Sequence, residues 1–290
     1  MGLKRAVFEA VTQSTVRLLR LNGPSRVASE IAAAIDPIYA VAAGGRPIKF
    51  YSAGAWPHYR ASTLLTKEPD TIRWIDTFLP DDLFYDIGAN VGVYTLYAAI
   101  VRGCQVVAFE PSAVNHAVLT RNVELNGVDI RVSAFCLALD QQTRIEHLYM
   151  QTTSPGGALS TFGVPVDYRG QRFKPVFRQA VIGITLDAFQ ETFGLPCPQH
   201  IKIDVDGNED RIIAGAAKTL QNPQVKSVLM ELNEAMEGQR RLIEQMTVWG
   251  FTGRGRGRKS SQEAASGLVH NHLFTRGIMN FQEAHLSTAG

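Results

Sequence analysis

A chain of 290 residues, 45% of them apolar, can bury one substantial core with room for an appended element. Its formal charge of +2 argues against a broad basic surface for nucleic acid, so no nucleic-acid partner is expected. Three cysteines, Cys104, Cys136 and Cys197, show no metal-ligand spacing and read as free thiols. No apolar run approaches the roughly 18 residues of a membrane span, and Glu9, Arg17 and Arg20 interrupt any signal-peptide core. A cytoplasmic enzyme with no membrane span is the expectation.

Residues 4–22 space Val7, Val11, Leu18 and Leu21 as one face of a helix between Lys4, Arg5, Arg17 and Arg20. Such a helix packs on the domain or on a partner subunit, so a homo-oligomer through the N-terminal helices is a candidate. A second helix begins at residue 29 and runs to Gly44-Gly45, and residues 47–51 form a short strand. Residues 1–69 therefore read as an N-terminal helical extension or cap, and residues 70–290 as the main domain. From residue 70 the pattern is regular: helix 71–78, strand 83–87, helix 91–101, strand 105–109, helix 112–126 ended by Gly127, strand 130–138. Strands alternating with helices predict an α/β, doubly wound, mostly parallel sheet. The alternation breaks over residues 141–199, where extended stretches at 144–150 and 176–186 flank the loop SPGGALSTFG; insertions of this length are usually functional. Strand 200–205, helix 209–220, strand 225–231 and helix 240–249 follow, with extended segments near Phe251 and at 271–275.

The segment LFYDIGANVGVYTLYAAIVRGCQVVAFE, residues 83–110, carries the chemistry. Gly88 and Gly92 allow a sharp strand-to-helix turn and close approach of a ligand, and Asn90 between them tolerates positive φ. A dinucleotide fingerprint would place a third glycine where Tyr94 and Thr95 stand. Asp86, directly before the turn, would repel a pyrophosphate but suits a ligand bearing an ammonium and a sulfonium. That ligand's carboxylate can meet free N–H groups at the helix start, with the Thr95 hydroxyl. Glu110, ending the next strand, is placed to accept both ribose hydroxyls. These features favour S-adenosyl-L-methionine over NAD.

DIGANVGVYT, AFEP before a helix with Asn122 and Asn126, GITLDAF, IKIDVDGNE and the late NHLF resemble, in order, FkbM-type S-adenosylmethionine-dependent methyltransferases. Two positions depart from the pattern: Asp206 stands where Glu is usual, and Asn208 where an aromatic, His or Ala is common. The resemblance implies a Rossmann-like class I fold of seven strands with an antiparallel last strand, and O-methylation of a sugar, glycan or secondary-metabolite hydroxyl. It also implies that Pro111 lies near the adenine edge, with Ala138, Leu139 and Asp140 on the other side.

At the reacting end, strand alternation sends Asp204 and Asp206 to one side at the carboxyl edge of the sheet. Both are catalytic candidates, with Asp204 first as base or as the group orienting the nucleophile. Glu209 reads as a helix cap. A divalent metal held by Asp204, Glu231 and Asn233 is conceivable but not favoured. His58 could reach the site mouth only if the preceding segment folds over it, and His200 starts at the far edge of the sheet. The run at residues 253–259, GRGRGRK, keeps a nucleic-acid methyltransferase as the rival reading, but it lies in an expected solvated loop. A nitrogen acceptor or a non-catalytic binding module are further rivals; DVDGNE replaces the Asn-Pro-Pro type motif of many nitrogen methylators.

Overall fold

The computed structural model describes residues 10–15, 17, 30, 34–233, 237–256 and 269–277. Residues 10–15 are helical. The expected helix running to Gly44-Gly45 gives way to a β-hairpin, β1 (Ile38–Ala43) and β2 (Arg46–Tyr51). Ile38, Tyr39 and Val41 favour a strand, and Gly44 and Gly45, with φ of 57° and 73°, make the two-residue turn that hairpins prefer. Ile48 and Phe50 of β2 are buried with Ala61 of α1 (Ala55–Ser62) and Trp74 of α2 (Pro69–Ile75) in the core beneath the main sheet.

That sheet begins with β3 (Leu83–Ile87), passes through α3 (Val93–Tyr97) and a π-helical turn Ala98–Arg102, and returns as β4 (Gln105–Phe109). Helix α4 (Ala113–Asn126) follows, started by the Ser112 hydroxyl and stopped by left-handed Gly127, then β5 (Val132–Phe135). The expected third strand ends early, because residues 138–139 leave the sheet as β6 (Ala138–Leu139). Asn122 of α4 accepts from the Tyr51 N–H at 2.6 Å and donates to the Val91 carbonyl at 2.8 Å. Asn126 bonds both backbone groups of Lys49. The two asparagines thus complete the edge of β2 as a neighbouring strand would.

The insertion forms a second sheet from β6, β7 (Arg144–Met150), β8 (Thr161–Phe162) and β9 (Phe177–Ile184), in the order β6-β9-β7-β8. After α5 (Leu186–Phe193) the chain returns as β10 (His200–Ile203), α6 (Glu209–Gly215), α7 (Ala217–Gln221), β11 (Ser227–Asn233) and α8 (Glu237–Val248). The helix expected over 209–220 is broken at Ala216. The TLD motif is structural: Thr185 caps α5, and Asp187 takes the Lys218 and Thr219 N–H groups at the start of α7. Strands β12 (Thr252–Arg256) and β13 (Val269–Thr275) finish the fold. Residues 253–256 of the basic run are therefore an edge strand in place of the expected loop; residues 257–259 lie outside the described residues.

The large sheet has the order β12-β13-β11-β10-β3-β4-β5, with β13 antiparallel to both neighbours. Strands β11, β10, β3, β4 and β5 run parallel, so the expected seven-stranded Rossmann-like sheet is present. The order reverses between β3 and β10, and ligands bind at such a switch point, beyond the carboxyl ends of the strands.

Candidate active site

The floor of the site is the turn after β3. Gly88 and Ala89 both donate to the Phe109 carbonyl, at 2.9 and 3.0 Å, which ties the turn to the end of β4. Gly88 has φ 81°, and a Cβ there would stand 1.9 Å from the Asp204 carbonyl oxygen. Only glycine lets β3 and β10 approach this closely at the switch point. Asn90, at φ 52°, takes the positive-φ position expected of it.

Glu110 sits at the end of β4, buried, with its two oxygens split between two anchors. Oε2 accepts the Asn90 N–H at 2.8 Å, and Oε1 accepts the Ser112 N–H at 2.9 Å. Burial pushes its pKa up to about 7, against those bonds, the Asn115 amide and the field of Arg60. A carboxylate so held presents fixed acceptor positions to a diol.

The roof is the SPGGALSTFG loop. Asn90 Nδ2 and Asn115 Nδ2 both donate to the Gly157 carbonyl, at 2.8 and 3.1 Å, and Asn115 Oδ1 accepts the Gly156 N–H at 2.8 Å. Arg60 Nε donates to the Gly156 carbonyl at 2.6 Å, and the Leu159 N–H to Asp206 at 2.6 Å. Between floor and roof lies a cleft of about 620 Å³, counted out to its open mouth. Its lining combines polar groups, Gly88, Asn90, Glu110 and Asp204, with the apolar side chains of Phe109, Leu137, Leu139, Leu148, Phe162 and Ile212. A mixed lining of this kind suits a ligand that is part polar and part apolar.

Beyond β10 lies a buried charge cluster. Lys202 Nζ is 2.7 Å from Asp204 Oδ2 and 5.1 Å from the Tyr94 ring centre. Burial works against its charge, but Asp204, Asp86 and Glu68 outweigh it and hold the Lys202 pKa above the ordinary lysine value. Burial raises the pKa of Asp86, against the pull of Lys202 and the Thr95 hydroxyl. A smaller pocket of about 300 Å³ opens here, lined by Arg60, Thr63, Lys67, Glu68, Tyr94 and Asp204. Asp204 belongs to both cavities. Asp206, with φ 58°, also lines the large cleft, and burial with the nearby Asp204 raises its pKa to about 6. Glu209 caps the turn before α6 by accepting the Gly207 N–H, and it receives the Gln239 amide.

The structure brings Gly88, Asn90, Glu110, Pro111, Ala138, Leu139, Asp204 and Asp206 to one cleft. Four expected residues stand elsewhere. Asp140 is buried behind it, held by Arg211 at 2.7 and 2.9 Å and by Arg144 at 3.0 Å. Thr95 gives its hydroxyl to Asp86 at 2.6 Å, leaving none for a ligand carboxylate. Asp86 lies below the turn, and Gly92 starts α3 in the left-handed region against Leu119. His58 contacts Ser52 and Tyr39, while its neighbours Pro57 and Arg60 reach the roof. His200 is stacked on Phe78 at the far edge. Among the described residues no group of three or more His, Cys, Asp or Glu has the arrangement of a metal site. Asn233 instead bonds the Tyr168 carbonyl and the Gln239 side chain. Asn115 and the Gly156-Gly157 pair were not singled out from the sequence; the glycine pair in the insertion and an Asn one turn into the helix after Glu110 were the available signals.

Strand order and cleft define a nucleoside-cofactor domain of the Rossmann-like methyltransferase class. The sequence profile described as the methyltransferase FkbM domain matches residues 86–256, and the chain belongs to that family. It is an S-adenosylmethionine-dependent methyltransferase. The 31-O-demethyl-FK506 methyltransferase FkbM of Streptomyces tacrolimicus is 25% identical over 194 residues, 60% of this chain and 74% of that one. Among solved structures, the methyltransferase FkbM from Methylobacillus flagellatus KT is similar over 68% of this chain, at 13% identity and TM-score 0.47. This chain covers 44% of that structure's length. Pyrococcus horikoshii TYW2 in complex with MeSAdo is similar over 82% of this chain and 70% of that one, at 13% identity and TM-score 0.40. No helix among the described residues is long and apolar enough to cross a membrane.

The site fits the family's cofactor. Asn90 lines the cleft, and its buried Oδ1 is an acceptor without a hydrogen-bond donor among the described residues, as a site for a donor-bearing ligand would leave it.

Proposed function

We propose that the protein is an O-methyltransferase acting on a hydroxyl of a sugar, glycan or secondary metabolite. The observation that carries this reading is the place of Asp204, a carboxylate shared by the cofactor cleft and the small pocket beside it. S-adenosylmethionine supplies a methyl already activated on a sulfonium, so the protein has mainly to align donor and acceptor and to receive a proton.

In this reading Glu110 takes the two ribose hydroxyls, and the apolar lining that includes Phe109 and Leu139 takes the adenine. Asn90 faces the methionine end, with the negative field of Asp86 beneath. The acceptor enters through the pocket of Thr63, Lys67 and Tyr94, with its hydroxyl toward Asp204. Lys202 fixes the Asp204 carboxylate at 2.7 Å, so the base meets the acceptor in one orientation. The 31-O-methylating relative supports oxygen as the methylated atom.

Calorimetry with S-adenosylmethionine and NAD in parallel tests the donor, and binding of NAD alone would overturn it. Release of S-adenosylhomocysteine across a panel of hydroxyl and amine acceptors, with and without a chelator, tests the acceptor atom and any need for a metal. Turnover confined to amines would remove the oxygen assignment.

A further inference from the structure

Arg60 lies upstream of the matched residues 86–256, in α1, yet it touches the part of the site that closes over the cofactor. Its Nε donates to the Gly156 carbonyl at 2.6 Å, 96 residues away in sequence. The helix and the loop meet backbone to backbone. A Cβ on Gly156, whose φ is 76°, would stand 2.9 Å from the Pro57 nitrogen and 3.0 Å from the Trp56 carbonyl carbon. Gly156 is therefore a glycine because α1 lies against it. The next residue, Gly157, lines the cleft and carries the amide latches of Asn90 and Asn115. The guanidinium also lines the small pocket beside Asp204.

We infer that Arg60 is a positioning residue that holds the 154–163 loop closed over the bound cofactor. The inference rests on the cofactor site proposed above. Its logic is geometric: Asn90 and Asn115 grip the loop from below, and α1 grips it from outside through one charged donor. A charge-assisted bond at this distance is among the stronger hydrogen bonds available to a loop. When it is lost, the loop keeps its lower latches but opens more often, so bound cofactor leaves faster.

The charge of Arg60 provides a second readout, separate from its hydrogen bond to the loop. The groups that face Glu110 are Arg60 and Cys136 as titratable neighbours, with Asn90, Ser112 and Asn115 as donors. Burial dominates the raised Glu110 pKa, and the Arg60 field opposes it. Removing the guanidinium therefore shifts the titration of Glu110 further upward, and the pH midpoint of ligand affinity shifts with it.

The experiment uses the full chain and S-adenosylhomocysteine. Its dissociation rate is read by stopped-flow displacement, and its affinity by calorimetry from pH 6 to pH 8. Arg60→Ala is expected to dissociate about tenfold faster, the scale of one charge-assisted hydrogen bond, with the affinity midpoint moved to higher pH. Arg60→Lys keeps the charge but lacks Nε, so it is expected to dissociate faster with the midpoint unchanged. It carries the test if Arg60→Ala does not fold. Dissociation at the wild-type rate in both variants, with only thermal stability lowered, would show that Arg60 merely braces α1 and would overturn the inference. A wild-type protein that binds neither S-adenosylhomocysteine nor S-adenosylmethionine would overturn the cofactor reading itself, and this inference with it.

Discussion

The floor of the cleft is set by backbone that has no second arrangement, whereas the roof is held by side chains that reach it from elsewhere. Below, parallel strands fix Gly88 against the Asp204 carbonyl, and register leaves neither strand room to slide. Above, residues 154–160 hang on two amides, one guanidinium and one carboxylate before β8 pairs the chain to β7. A floor of this kind can define where a donor lies to within a bond length. A roof of this kind can open, and it can change between relatives without disturbing the sheet. The sheet thus fixes the floor of the cleft, and the freedom to vary lies in the insertion.

The sharpest way to break this contrast is at Gly88. Gly88→Ala puts a methyl 1.9 Å from a backbone oxygen at φ 81°, so β3 and β10 must part. A loss of about 4 kcal/mol or more is expected in urea unfolding, a size reserved for such clashes. Next comes Asp204→Asn, which keeps shape but removes the base. Turnover is expected to fall by about a hundred- to ten-thousand-fold while S-adenosylmethionine still binds, and a rate near wild type would reduce Asp204 to a brace.

Glu110→Gln is expected to lower cofactor affinity about tenfold at pH 8, and the pH dependence carries the sharper information. The folded pKa, about 7, lies above the ordinary 4.5. In the cofactor-free protein this group's stabilising contribution is therefore complete below about pH 4.5 and is lost as pH rises through 7. The ribose hydroxyls donate to the ionised form, so affinity runs the other way. It is expected to rise about tenfold from pH 6 to pH 8 in wild type and to stay flat in the variant. The smallest effect belongs to the exposed face of the second sheet, where Ile145 and Ile182 pair across β7 and β9 with 79% and 58% of their surface exposed. Ile182→Thr should shift stability by no more than about 0.5 kcal/mol in thermal unfolding. A larger loss would mean that this face is covered in solution.

How much of this was legible in the sequence follows the same division. The strands of the floor are short apolar runs closed by Gly or acid, and β3 and β4 were placed to the residue. The cleft residues from Gly88 to Pro111 were legible because local chemistry, a turn and a strand end, places them. Asp140 lies outside the cleft lining because its carboxylate serves Arg211, a partner 71 residues later that no local pattern announces. The hairpin's second strand was legible at 47–51, but its first was hidden by the alanine-rich lead into it, which has helical composition. The roof was visible as extended stretches, but its landing place depends on Asn115 and Arg60, 42 and 96 residues away.

The hairpin and α2 set a boundary condition for anyone cutting this protein. A fragment starting at residue 86, where the family match begins, would expose the face of Asn122 and Asn126 that serves as a strand to β2. It would also leave the buried Ser227 hydroxyl without the Trp74 indole, 2.8 Å away, and cut away residues 83–85 of β3. A cut that keeps these contacts therefore starts no later than β1, and the piece it leaves brings with it the helix whose arginine reaches the roof.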